Sequence, residues 1–158
     1  MAPGVTEVLL WLFVVNHGVA FGAGLYEMRI VVPPWIDSVL KGEAARFPDA
    51  GPRFWAFVTT VPLTLLTLAS LVAAWHTPCA RGSWWLGAAM TTLVERVMTF
   101  SYFIPTMLKL QRGQIVPESR VKAMASQWVK LNYVRAALSL GAWIAALKAF
   151  SLPIGSGG

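Results

Sequence analysis

Apolar residues in this 158-residue chain gather into four long blocks, at about 8–32, 54–75, 84–108 and 128–150, parted by short polar stretches. A bilayer's hydrocarbon core is about 30 Å thick and takes about 20 helical residues to cross, so each block is a candidate span. The pattern predicts an all-α fold, a four-helix transmembrane bundle with short loops. Little chain remains outside the spans, so residues 1–158 read as a single integral membrane domain with no room for a soluble enzyme module.

Punctuation between the blocks refines this picture. Pro33 and Pro34 are expected to stop the first helix, and Trp35, Ile36, Val39, Leu40 and Phe47 fall at near-helical spacing, which suggests a short interfacial helix in the first loop. Pro78 and Gly82 mark a tight hairpin, so helices two and three should be antiparallel neighbours. Pro117 followed by Glu118 is a good helix start, which places the beginning of the last helix before its span. The closing Gly-Ser-Gly-Gly reads as a frayed tail. The first block is not a signal peptide: it has no basic start, exceeds the usual apolar length, and carries Asn16 and His17 inside.

Composition agrees with the pattern. Hydrophobic residues make up 56% and charged residues 13%, against about 25% charged in soluble domains, and mean hydropathy is +0.60. The net charge of +6 could suggest nucleic acid, but its distribution excludes that reading. Lys41, Arg46 and Arg53 fall in the first loop with Arg29 at its edge, and Lys109, Arg112, Arg120 and Lys122 in the third. The other side has only Arg81 in the second loop and Lys148 near the end. By the positive-inside rule both termini are extracytoplasmic, and the expected location is the cell membrane. The single cysteine, Cys79, excludes an internal disulfide and any CxxC redox pair.

Polar residues inside the spans carry the functional signal. Glu95 and Arg96 sit near the middle of the third block, where a charge costs about 2.5–3.5 kcal/mol on insertion scales and is expected to face a bundle interior. At a rise of about 1.5 Å per residue, His17 shares their mid-membrane layer. Glu27, Tyr102, Asn132 and Arg135 form a second layer nearer the cytoplasm. Glu95 and Tyr102 lie seven apart, Asn16 and Glu27 eleven apart, and Asn132 and Arg135 three apart with Trp128 one turn earlier, so each set shares a helix face. The expectation is a polar seam between helices one, three and four, open to a flat molecule from the lipid. Glu95 would pair with His17, and Glu27 with Arg135. Arg96 would join Glu95, reach Glu27, or be kept for an anionic ligand.

Each signal has a plainer explanation. Buried ion pairs can serve only to fix helix order and register. Tryptophans at span ends, such as Trp35, Trp75, Trp84, Trp85 and Trp128, form the usual interfacial belt. Gly18, Gly22 and Gly24 suit close helix packing, or make room for a ligand beside His17. Pro62 and Pro105 should kink their helices. No metal site is expected, because His76 is the one other histidine and lies in the outer hairpin, and no repeated Glu-x-x-His element is present.

Three runs resemble a known family: GAGLYEMRIVVPPW closing helix one, TFSYFIPTMLKL closing helix three, and WVKLNYVRAALSL opening helix four. They are similar to the small four-helix membrane proteins that include the anthrone oxygenases, and the Trp128, Asn132, Arg135 pattern is the most recognisable part. The resemblance spans most of the chain. It implies a four-span bundle and, for some members, cofactor-free oxidation of an anthrone to an anthraquinone by molecular oxygen. Such chemistry needs a base to make an electron-rich enolate and groups to hold the oxyanion. Glu95 or His17 is the candidate base, with Arg96 and Arg135 as oxyanion holders; Asn132, Tyr102, Glu27, Asn16 and Trp128 are candidate substrate-binding residues. A non-catalytic module that binds a lipid, quinone or other hydrophobic ligand, or scaffolds a membrane complex, is the main alternative. A charged path for protons or ions is a third, which four short spans without an inverted repeat disfavour unless the chain forms a homo-oligomer.

Overall fold

The computed structural model describes residues 3–41, 53–77, 80–111 and 117–153. The turn containing Pro78 and Cys79, the basic residues Arg46 and Arg112, Phe47 and the glycine-rich tail lie outside these residues.

Four helices account for nearly all of the described chain, and no strand occurs among the described residues. The first helix runs as α1 (Pro3–Tyr26), a π-helical segment (Glu27–Val31) and α2 (Val32–Leu40). The second joins a π-helical segment (Trp55–Thr60) to α3 (Val61–Trp75). The third runs as α4 (Ala80–Met98), a π-helical segment (Thr99–Phe103) and α5 (Ile104–Gln111), and the fourth is the single α6 (Glu118–Ser151). The first packs on the second, the second on the third, the third on the fourth, and the fourth back on the first.

Three of the helices, Gly4–Leu40, Trp55–Trp75 and Glu118–Ser151, are long and apolar enough to cross a membrane. The third helix does not meet that measure, because Glu95 and Arg96 interrupt its apolar run. Its neighbours on both sides account for this: it packs most extensively of all, against α3 and α6. The outer surface is apolar, with Trp11, Leu12, Val15, Leu68, Val72, Val94, Val97 and Ile144 exposed, while His17, Thr67, Ser70, Thr92, Glu95, Arg96, Asn132 and Ser139 are buried. Apolar surface outside and polar groups inside are what a hydrocarbon solvent selects, so the chain is an integral membrane protein.

Pro33 and Pro34 do not end the first helix. They sit in the first turn of α2, where a missing N–H costs nothing, and the π-helical turn just before them absorbs the ring that would otherwise strike the preceding carbonyl. The same arrangement recurs twice: Pro62 and Pro105 each follow a π-helical segment with one residue between. At Pro62 the Val58 carbonyl lies four residues back and cannot receive an N–H from the proline; Asn16 Nδ2 donates to it instead, at 3.1 Å. The described part of the expected interfacial helix is thus the end of the first helix. Trp35 and Val39 are buried with Phe103, Leu110 and Trp128 rather than spread on a surface.

At the other end, α3 and α4 form the expected antiparallel hairpin. A Cβ on Gly82 would overlap the Thr77 carbonyl, so only glycine permits this approach. Arg81, expected as a loop charge, is buried in the first turn of α4, and its Nη2 bonds Glu7 Oε2 at 2.6 Å. The helix simply begins earlier than the apolar block does.

Candidate functional site

Each of the three π-helical segments adds an extra residue to its turn, and each contributes residues to one space between the helices. π-Turns of this kind recur at functional sites. Here they surround a cavity of about 590 Å³, within the size range of small-molecule sites. All four helices line it, including Gly24 and Glu27 from the first, Trp55, Thr59 and Thr64 from the second, Glu95, Arg96 and Phe103 from the third, and Trp128, Asn132 and Arg135 from the fourth.

Its charged pole is built around the third helix. Arg96 Nη2 donates to Glu95 Oε1 at 2.9 Å, so the two adjacent charges satisfy each other across the cavity wall. Residues about 100° apart on a helix can do this because arginine's stem is long enough to fold back. Both groups are nearly closed off, at 5% and 8% exposure. Glu95 Oε2, Arg96 Nε and Asn132 Oδ1 make no hydrogen bond among the described residues. Buried polar atoms of that kind are costly, about 1–3 kcal/mol each, and all three belong to residues of the cavity lining.

Arg135 completes the pole. Its guanidinium lies over the Phe103 ring, 4.6 Å from the centroid, and it is attracted by both Glu27 and Glu95. Neither carboxylate comes within ion-pair distance of it among the described residues, so the expected Glu27–Arg135 pair does not close. Trp128 Nε1 donates to the Phe103 carbonyl at 3.3 Å, and its ring stands edge-on to Trp35 at 5.4 Å and Phe103 at 6.0 Å. Asn132 Nδ2 donates to the Trp128 carbonyl at 3.2 Å, which turns its Oδ1 away from the helix backbone. These aromatic contacts close the cavity between the first, third and fourth helices.

The structure therefore brings together six of the nine sequence-derived candidates: Glu95, Arg96, Arg135, Asn132, Glu27 and Trp128 all line one cavity. The two layers merge into a single site. His17, Tyr102 and Asn16 stand apart from it. His17 is fully buried one turn above Glu95, with Nδ1 3.0 Å from the Phe13 carbonyl and Nε2 2.9 Å from the Thr92 hydroxyl. A carbonyl only accepts, so Nδ1 carries a proton; the Thr92 hydroxyl lies between Nε2 and the Ala88 carbonyl, to which it donates at 2.7 Å. The expected Glu95–His17 pair is thus replaced by Glu95–Arg96 and His17–Thr92; counting residues places His17 at Thr92's level only to within a turn. Tyr102 packs its ring edge-on to Phe103 at 5.4 Å, outside the lining. Asn16 binds Val58 and borders a shallow outer groove.

The second helix is absent from the expected seam, yet it supplies Trp55, Thr59, Thr60 and Thr64. A signal exists in Thr59, Thr60, Thr64 and Thr67, which mark one face of an otherwise apolar helix. Threonines satisfy themselves on their own backbone, as Thr59 does on the Trp55 carbonyl at 3.0 Å and Thr64 on the Thr60 carbonyl at 2.6 Å, so they demand no partner from another helix.

Comparison with known proteins gives one match. The family model described as anthrone oxygenase matches residues 54–145, which include the second and third helices and the cavity-lining part of the fourth. No curated protein and no solved structure matches.

Proposed function

Because the chain belongs to the anthrone oxygenase family, we propose that its cavity oxidises a flat hydrophobic substrate with molecular oxygen, without a cofactor. The observation that carries this reading is the pairing of apolar aromatic walls with a buried pole of two carboxylates, two guanidiniums and Asn132. The walls suit fused rings, and the pole suits a proton transfer that creates an oxyanion.

Glu95 is the base in this reading. Its Oε2 is free of hydrogen bonds among the described residues, and Glu95 is a residue of the cavity lining. It takes a proton from the methylene carbon of an anthrone, and the resulting enolate oxygen is held by Arg135 and the Arg96 Nε–H. The enolate carbon gives electrons to oxygen and forms a hydroperoxide; loss of water from that carbon leaves the second carbonyl. One anthrone and one oxygen molecule thus become one anthraquinone and one water. Asn132 and Trp128 orient the ring, and Glu27 balances the charge of Arg135. His17 acts, in this reading, by fixing the first helix against Thr92 rather than by touching substrate.

The bundle sits in the cell membrane with both termini outside, a placement supported by the basic first and third loops. The test is oxygen uptake by purified protein in detergent with anthrone, corrected for spontaneous autoxidation. Glu95→Gln should lower the protein-dependent rate by about 10²-fold or more. Wild-type protein that binds anthrone saturably but adds nothing to the spontaneous rate would instead support the non-catalytic ligand-binding reading.

A further inference from the structure

Four residues of the cavity lining are also exposed on the outside of the protein: Val61 at 50%, Leu65 at 62%, Phe100 at 50% and Leu108 at 38%. A side chain can line a cavity and face outward only at a mouth. All four lie on the second and third helices, and the remaining lining residues are buried or half-buried. The second and third helices pack closely between α3 and α4, toward the hairpin. Their other halves, Trp55–Thr60 and 99–111, do not pack closely on each other. The two helices part there.

The depth of the opening identifies its surroundings. At about 1.5 Å per residue, Val61 and Leu65 lie about 9 and 15 Å along the second helix from Trp55. Leu108 and Phe100 lie about 5 and 17 Å from Gln111 on the third. The opening runs from near one membrane face to mid-depth, and its rim is wholly apolar, so acyl chains rather than water border it. The seam between helices one, three and four, expected to open to lipid, is closed by Trp35, Phe103 and Trp128.

We propose that ligand reaches the cavity laterally from the acyl-chain layer, through a mouth between the second and third helices, and that it is a flat apolar molecule carrying an oxygen substituent which meets Glu95, Arg96 and Asn132 at the inner end. The unpartnered Arg96 Nε–H can donate to such an oxygen, and where the oxygen is a hydroxyl its hydrogen can go to Glu95 Oε2 or Asn132 Oδ1, both acceptors without a partner among the described residues. An apolar body without oxygen would leave all three unsatisfied. The inference rests on the cavity being the substrate site but not on its catalysing anything.

The test uses the full chain in phosphatidylcholine vesicles without oxygen, with anthrone as probe and stopped-flow quenching of tryptophan fluorescence as readout. Trp55 and Trp128 line the cavity and report occupancy. Association should scale with the mole fraction of anthrone in the lipid, and the water-soluble anthraquinone-2-sulfonate should associate at least tenfold more slowly. Val61→Phe/Leu65→Phe should slow association by about tenfold, whereas Leu12→Phe/Val15→Phe on the outer face of the first helix should leave it unchanged. Anthracene, which lacks the oxygen, should bind at least tenfold more weakly than anthrone. Unchanged association in the Val61/Leu65 variant, equally fast association of the sulfonate, equal affinity for anthracene, or no saturable quenching would each overturn the proposal. Saturable binding with these rates, followed by no turnover when oxygen is admitted, would leave the mouth standing and refute the oxygenase reading alone.

Discussion

Replacing Arg96 with methionine should destabilise the protein more than any other single truncation in the bundle. The pair it belongs to is 2.9 Å long and almost closed to the outside. Two charges about 4 Å apart attract by about 4 kcal/mol at an effective dielectric constant near 20. Removing the arginine leaves Glu95 with both oxygens unpartnered, and stranding one member of a buried pair costs about 3–5 kcal/mol. For a chain of this size that is a fall in thermal midpoint of about 10 °C. The double variant Glu95→Gln/Arg96→Met removes both charges and should recover most of the loss, giving a coupling energy of about 2–4 kcal/mol. Circular dichroism melts of the four proteins of this cycle in one detergent supply all the numbers. An Arg96→Met midpoint within 1 °C of wild type would mean that the pair is hydrated, and would refute the claim that it is sealed within the helices.

Other outcomes follow from single contacts. Gly82→Ala should lower stability by more than about 2 kcal/mol through overlap with the Thr77 carbonyl, while Gly22→Ala, with open space around it, should raise it by about 0.5–1 kcal/mol; unfolding in a graded detergent series distinguishes the two. Asn16→Val should cost about 0.6–1.7 kcal/mol, the range for hydrogen bonds between membrane helices. The cost should shrink in a Pro62→Ala background, where the substituted residue supplies the Val58 carbonyl with a backbone N–H; the same detergent series measures both. Arg135→Met should reduce protein-dependent oxygen uptake by about 10²-fold, as loss of an oxyanion donor does, with Arg135→Lys intermediate because it keeps charge but loses the planar contact with Phe103.

Four helices and their order are legible in the sequence because apolar blocks of span length have one stable fate in a bilayer. The polar layer is legible for the same reason: Glu95, Arg96, Glu27, Asn132 and Arg135 are expensive wherever they do not converge, and they do converge. Pairing is legible only as a set of alternatives, of which Arg96 joining Glu95 is the one the structure holds. Choosing Arg96 rather than His17 for Glu95 depends on arginine's reach and on a one-turn offset that residue counting cannot resolve. Pro33 and Pro34 read as a stop because the π-helical turn that makes room for them is invisible in residue periodicity. The second helix escapes notice since its threonines are satisfied locally. Arg81 looks solvated until its partner Glu7, 74 positions away, closes the pair.

Oxygen chemistry on a flat substrate in this cavity is tested most directly with anthrone and ¹⁸O₂ supplied to the purified protein, by mass spectrometry of product formed above the spontaneous background. One ¹⁸O atom in each anthraquinone, at a rate that falls to background in Glu95→Gln, is the predicted result. Product formation no faster than with heat-unfolded protein, or equally fast in Glu95→Gln, would contradict it.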